Sequence, residues 1–259
     1  MDDTGPTDAE KRDRWERVLS TETEQEFREF VLDRVPLQPD DDVLSVGCGP
    51  GFEPAALARR LGPDGTITGV DVNEEVLAAA KDRCEDLPQV SFERGDVTDL
   101  PAADETYNLA VAKQVLSAVD DVASAFNELY RVLEPGGRVA ITAGDRRTHV
   151  KHTPTERLER ADEVYRAELG ERQLGTRLVS LLPAAGFAVE DVVPRAKLQT
   201  EIDDQIENGI DVQRRLLEAS DRFDPGEIEA WERDLRALDA DDQFLSCSIA
   251  FLYVARKPE

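Results

Sequence analysis

The chain has 259 residues, enough for one α/β domain with insertions and a substantial buried core. Its formal charge of −25, from 56 acids against 31 bases, would repel a phosphate backbone, so nucleic acid is an excluded class of partner. Six lysines stand beside 25 arginines, and this acid-rich, lysine-poor balance predicts a halophilic protein whose self-repulsion is screened by concentrated salt.

Residues 1–10 are acidic and have no apolar h-region, so they do not read as a secretion signal. No stretch approaches the roughly 20 apolar residues of a membrane span, and the expectation is a cytoplasmic protein without membrane insertion. Helices are predicted over 11–19 and 22–34, and Pro36 and Pro39 then close an N-terminal helical segment, 1–39. Trp15, Phe27 and Phe30 fall at helical spacing there, which favours a core role over closure across a ligand.

From residue 40 the elements alternate. Strands are predicted at 43–47, 66–71, 90–94, 107–112 and 137–143, with helices at 53–61, 74–85 and 121–133. Such alternation implies a mostly parallel sheet covered on both faces. Helices at 154–170 and 175–185 follow, the second ended by Gly186, and then a strand at 187–193. Two helices, 202–219 and 225–238, separate it from a last strand at 244–254. The domain at 40–259 thus carries insertions at 145–172 and 195–240, expected to meet as a cap over the strand ends. Cys48, Cys84 and Cys247 are odd in number and far apart, with neither a disulfide framework nor a metal-ligand spacing.

The first strand runs directly into Gly47, Gly49 and Gly51, and a helical run begins at once. Glycines let the backbone bend sharply and approach a ligand, and the helix N-terminus beyond offers unpaired N–H groups. The spacing is not that of a dinucleotide site, because Phe52 stands where the fingerprint requires glycine or alanine. This disfavours a nucleotide-dependent oxidoreductase. A phosphate-binding P-loop is also out, for want of Gly-Lys-Ser/Thr. The second strand ends at Asp71, about 20 residues past the glycines, where a carboxylate accepts ribose hydroxyls in doubly wound sheets. Asn73 suffices as cap of the next helix, which leaves Asp71 free for that role.

With these residues the chain resembles the class I S-adenosylmethionine-dependent methyltransferases. Gly47-Cys48-Gly49-Pro50-Gly51 is similar to the family's first motif and Asp71-Val72 to its second. Gly95-Asp96-Val97 resembles the third, whose acid contacts the adenine amino group, and the run from Tyr107 to Leu116 resembles the fourth. Leu133-Glu134-Pro135-Gly136-Gly137 resembles the segment before the fifth strand. The resemblance covers about residues 40–145, nearest to the small-molecule, quinone C-methyltransferase-like branch. It implies a doubly wound, seven-stranded Rossmann-like sheet with an antiparallel last strand. It also implies S-adenosyl-L-methionine held by Gly47, Cys48, Gly49, Gly51, Asp71, Val72, Asp96, Val97, Lys113 and Gln114, and methyl transfer to a small molecule. Cys48 enters through its backbone. The chain departs from the family at Ser45, where an acid is usual, at Tyr107-Asn108 and at Ser117-Ala118, where many relatives carry Glu-His. These departures motivate the alternative of a non-catalytic nucleoside-binding subunit or regulator.

The run from Asp145 to His152 holds both histidines of the chain, together with Arg146, Arg147 and Lys151. One reading makes it a site for an anionic substrate, with Arg146 and Arg147 steering and His149 or Asp145 as base. The other makes it a solvated hinge whose bases pair with nearby acids. Tyr165 and Trp231, in the expected cap, either line a substrate pocket or anchor their own helices.

Overall fold

A computed structural model describes residues 7–169 and 174–259, with the side chains of Asp8, Lys11, Arg146, Glu168 and Leu169 outside the description. Two helices, α1 (Asp8–Ser20) and α2 (Glu22–Leu32), come first. The alternating half follows as β1 (Asp42–Val46), α3 (Phe52–Ala58), β2 (Thr66–Asp71), α4 (Glu74–Arg83), β3 (Val90–Arg94), β4 (Tyr107–Lys113), α5 (Val122–Val132) and β5 (Leu133–Lys151). The rest is α6 (Glu156–Leu169), α7 (Leu174–Ala184), β6 (Ala188–Gln199), α8 (Asp204–Ala219), α9 (Pro225–Ala240) and β7 (Ser246–Arg256).

The strands form one sheet in the order β3-β2-β1-β4-β5-β7-β6. All pairings from β3 across to β5 are parallel, and β7 runs antiparallel to both neighbours. This is the expected Rossmann-like sheet. The chain reverses its winding direction between β1 and β4, which opens a crevice at their carboxyl ends.

Side-chain alternation divides the core between the two faces. Phe27 and Val31 of α2 and Leu57 of α3 pack on Val43, Leu109, Val111 and Leu252. On the other face, Phe126 and Leu129 of α5 and Leu178 and Leu182 of α7 meet Leu44, Ala110, Val139 and Ile141. Helix α2 is therefore a structural layer of the sheet, and Phe27 has the core role its spacing suggests. Helix starts follow local chemistry: Thr21 caps α2, Asn73 Oδ1 accepts Val76 N–H at 3.1 Å, and Asp203 caps α8.

The largest departure from the sequence reading lies in β5, which continues to Lys151 instead of stopping at 143. Its polar extension stays extended because β7 pairs with it beyond Asp145, across a register shift between Asp145 and Val150. Strand β6 likewise reaches Gln199, paired with β7 continuously from Asp191 onward after a register shift between Val189 and Asp191. The three strands thus project past the edge where β1, β2 and β4 end. Helices α6, α8 and α9 share a separate apolar core around Leu158, Val164, Ile210, Leu217, Trp231 and Phe244. Trp231 is an anchor of that core, with 1 % of its surface exposed. Truncation to alanine would leave a large cavity, so Trp231→Ala should cost about 3–5 kcal/mol in urea unfolding at high salt.

Candidate active site

The bend after β1 requires glycine for different reasons at different positions. Gly47, Gly49 and Gly51 all have positive φ, at 58°, 54° and 84°. A Cβ on Gly47 would lie 2.2 Å from Val115 Cγ2, and one on Gly51 would lie 2.9 Å from the Cα of Ala80 in α4. At Gly49 a Cβ would meet only Leu19 Cδ1, at 3.8 Å, so its constraint is conformational. That conformation directs the Gly49 N–H to Asp71 Oδ2, at 3.0 Å. Cys48 N–H donates to the Val70 carbonyl at 3.1 Å and ties the bend to β2. Burial and the neighbouring Asp71 push the Cys48 thiol well up, so this residue serves through its backbone and not as a thiolate.

Asp71 Oδ1 accepts the Asn73 N–H at 3.1 Å, so each carboxylate oxygen carries one backbone bond and keeps acceptor capacity. The Asp71 carbonyl accepts the Gly95 N–H at 3.1 Å, which brings the loop after β3 to the same rim. There Asp96 is exposed and its Oδ1 takes the Thr98 N–H and hydroxyl at 2.9 and 2.7 Å. Val97 is buried against Val70, whereas Val72 stands 56 % exposed beside Asp71. Hydroxyl acceptors, an uncovered apolar side chain and an exposed acid on one rim fit the ribose and base of an adenosyl group. The donor set fits S-adenosylmethionine on these grounds.

At the end of β4, Gln114 adopts φ of 58°, a strained conformation for a residue with a side chain. Its N–H is fixed by Thr142, 3.1 Å from the carbonyl and 3.0 Å from the hydroxyl. Lys113 is buried in an ionic cluster. Its Nζ lies 3.0 Å from Glu24 Oε2 and 3.1 Å from Glu53 Oε1. Glu24 also takes Lys197 Nζ and the Gln205 amide, and Arg28 Nε donates to Glu53 Oε1 at 3.1 Å. Burial pushes the Glu24 pKa upward, but Lys113 and Lys197 outweigh it and hold this carboxyl at about 2. For Lys113 the two acids overcome burial and raise the pKa, while burial prevails at Lys197 and lowers it.

Glu24, Arg28, Glu53 and Lys197 were not singled out in the sequence, although a signal was present. Glu24, Phe27, Arg28 and Val31 fall at i, i+3, i+4 and i+7, which places two charges inside the apolar stripe of α2. Phe52 has a positive role as well. The Arg28 and Arg83 guanidiniums lie 4.7 and 3.6 Å from its ring centroid. Arg83 also donates to the Pro50 carbonyl at 2.7 Å and to Glu16 of α1 at 2.6 Å, drawing α1 across the bend.

The run after Asp145 supports the pairing reading. Asp145 is buried, and its oxygens take Arg147 N–H, Nε and Nη2 and the Thr176 hydroxyl, at 2.5 to 3.2 Å. These bonds fill its four acceptor sites. Burial raises the Asp145 pKa, but the hydrogen bonds from Arg147 and Thr176 prevail and hold it at about 2. The expectation of a base at Asp145 is not met by this geometry, nor is Arg147 a free steering cation. Arg146 lies in β5, with its side chain outside the described ones. His149 Nε2 is 2.8 Å from Ser246 Oγ, and its ring packs edge-on to Tyr165 with centroids 5.8 Å apart. Lys151 reaches Gln213 Oε1 at 2.9 Å and faces the Tyr165 ring, and burial lowers its pKa to about 8. This second group sits on the projecting strands, whereas the glycine bend, Asp71, Asp96 and Lys113 share the rim of β1 to β4.

The model of the methyltransferase domain family matches residues 37–205. The chain belongs to this family of class I methyltransferases. It is 37 % identical over 108 residues to the arsenite methyltransferase of Halobacterium salinarum, covering 41 % of this chain and 28 % of that one. With the demethylmenaquinone methyltransferase of Staphylococcus aureus it shares 31 % over 131 residues, 51 % of this chain and 54 % of the relative. The chain therefore spans no more than about half of either relative. The YcgJ protein of Bacillus subtilis superposes with a TM-score of 0.64 at 18 % identity, over 91 % of this chain and 99 % of that one, a likeness of fold.

Replacing Glu24 by glutamine would leave Lys113 and Lys197 buried without their shared counter-charge, an expected loss of about 3–5 kcal/mol at neutral pH. Since the Glu24 pKa falls from 4.5 to about 2 on folding, its contribution is complete above about pH 4.5 and drains as the pH falls toward 2. Urea unfolding of wild type and Glu24→Gln across that range should show the gap between them closing on acidification.

Proposed function

We propose that this chain transfers the methyl group of S-adenosylmethionine to a small-molecule acceptor by in-line displacement. The observation that carries the reading is the Gly49 N–H on Asp71 Oδ2 at 3.0 Å, which puts the bare bend and the ribose-type carboxylate at one point. Names of relatives, for arsenite and demethylmenaquinone methylation, support a small acceptor.

When bound, the donor supplies a methyl carbon already activated by its sulfonium. The chain's own work is then orientation and exclusion of water. Asp71 accepts the sugar hydroxyls, Val72 and Asp96 receive the base, and the bend at Gly47 to Gly51 admits the donor close to the backbone. Lys113 and Gln114 bound the side toward β4. Holding the reacting groups in line is worth on the order of 7–11 kcal/mol at best. Helix α1, drawn over the bend by Arg83, limits the access of solvent to the bend. Where the acceptor must lose a proton, His149 is the candidate base, with Tyr165 beside it. A nucleic-acid acceptor is disfavoured by a groove of about 530 Å³ lined by Glu22, Glu26, Glu201, Asp203, Asp204 and Glu207. Among the described residues no helix is long and apolar enough to cross a membrane.

Calorimetric titration with S-adenosylhomocysteine in high salt tests the donor site. Asp71→Ala should weaken binding about 100-fold or more, through loss of charge-assisted hydrogen bonds to the ribose. Absence of heat or thermal shift with wild type at millimolar ligand would overturn the reading. Binding with no turnover over a broad acceptor panel would favour a regulatory subunit instead.

A further inference from the structure

Strand β5 carries His149 and Lys151 two residues apart beyond the rim, and α6 lays the Tyr165 ring against both. Lys151 Nζ lies 4.7 Å from the centroid of that ring. Its hydrogen bond goes to Gln213 Oε1 of α8, at 2.9 Å. Gln213 is 2 % exposed, and its amide nitrogen donates to the Ala161 carbonyl at 3.0 Å, which fixes the amide oxygen toward the lysine. An ammonium has three N–H donors, so Lys151 keeps unused donors that meet no acceptor within hydrogen-bond distance among the described residues.

The neighbouring charges do not settle this ammonium. Asp162 Oδ1 stays 3.8 Å from Lys151 Nζ, while Asp162 Oδ2 pairs with Arg166 Nη2 at 3.0 Å. Among the described residues, Lys151 and Arg166 thus share a single carboxylate, which leaves one positive charge in excess. Burial holds the Lys151 pKa at about 8, and the attraction of Asp162, opposed by Arg166, does not restore it. An enclosed cation with unused donors is costly until an acceptor joins it. Tyr165, Asp162 and Ser246 are all buried, whereas 16 % of the Lys151 side chain is exposed, so a ligand arrives along the lysine.

We propose that Lys151 anchors the carboxylate of a small organic ligand, with Tyr165 and His149 beside it and Gln213 holding the ammonium in position. A carboxylate brings one negative charge, which matches the excess, and its oxygens accept charge-assisted hydrogen bonds from the unused donors. A dianion such as phosphate would reverse the imbalance instead of removing it. Ser246 Oγ, 2.8 Å from His149 Nε2, keeps the imidazole in place at the edge of the Tyr165 ring. The site lies on the projecting strands, apart from the rim of β1 to β4, and does not depend on the donor reading.

The test reads the lysine itself and needs no turnover. The chain has six lysines, so isotopic labelling at lysine Cε gives six NMR signals to follow. Lys151→Met identifies the signal of Lys151, and Lys151→Arg does so if the first variant does not fold. Potassium chloride is then exchanged stepwise for potassium acetate at constant total salt, and the titration midpoint of each lysine is recorded. A carboxylate beside the ammonium favours its charged form, so acetate should raise the Lys151 midpoint by about one pH unit and leave the other lysines in place. Acetamide, similar in shape but neutral, should move none of them. A Lys151 midpoint that acetate does not raise, one that acetamide raises as much, or a parallel rise of every lysine overturns the site.

Discussion

The amide of Gly49 and the carboxylate of Asp71 set the geometry of the whole rim. Strands β1 and β2 pair in register up to Val46 and Val70, so their ends arrive side by side. The chain then has to turn through three left-handed residues without touching Val115 or α4. The carboxylate fixes that turn, and the Cys48 N–H on the Val70 carbonyl holds it to the sheet. Asp71 remains available to a ligand because Asn73 undertakes the capping of α4. A carboxylate consumed as a helix cap would have left the bend without a polar partner on the ligand side.

The second constraint is the ionic cluster around Glu24 and Glu53. It draws together α2, α3, the end of β4, β6 and α8. Buried ion pairs are poor sources of net stability, because desolvation offsets most of their attraction. Five elements meeting on two carboxylates make more sense as a device for position. Helices α6, α8 and α9 would otherwise rely on their own apolar core and on surface pairs such as Arg17 with Asp204. Exposed pairs of that kind contribute little and are screened in salt.

The sheet and the meeting of the glycine bend with Asp71 were legible because period, glycine spacing and a strand-terminal acid are local signals. β2 and β3 fall at the residues their patterns gave, and Asp71 meets Gly49 as its spacing implied. The polar half of β5 was not legible. Asp145 to His149 has the composition of a loop, and it stays in the strand because β7 pairs on either side of it, Ile249 with Asp145 and Cys247 with Val150, about 100 residues later. The ionic cluster was hidden for a related reason. Charges inside the stripe of α2 are visible in sequence, but their partners come from residues 25 to 181 positions away. The roles of Asp145 and Arg147 turned on each other and on Thr176, a contact that no spacing rule supplies.

The overall charge gives these local arrangements their meaning. In a chain with 56 acids and 31 bases, an exposed cation rarely lacks a carboxylate within reach. Arg147, Arg157, Arg214 and Arg236 all have one, and cations in such surroundings say little about ligands. The cluster around Glu24 and Glu53 differs in being enclosed by packing. Phe27, lying under both Lys113 and Lys197, and Phe52, lying against Arg28, provide that enclosure. Aromatic faces attract the cations without neutralising them. Ion pairs enclosed in this way are screened little by salt, so the cluster keeps its strength where the exposed pairs lose theirs.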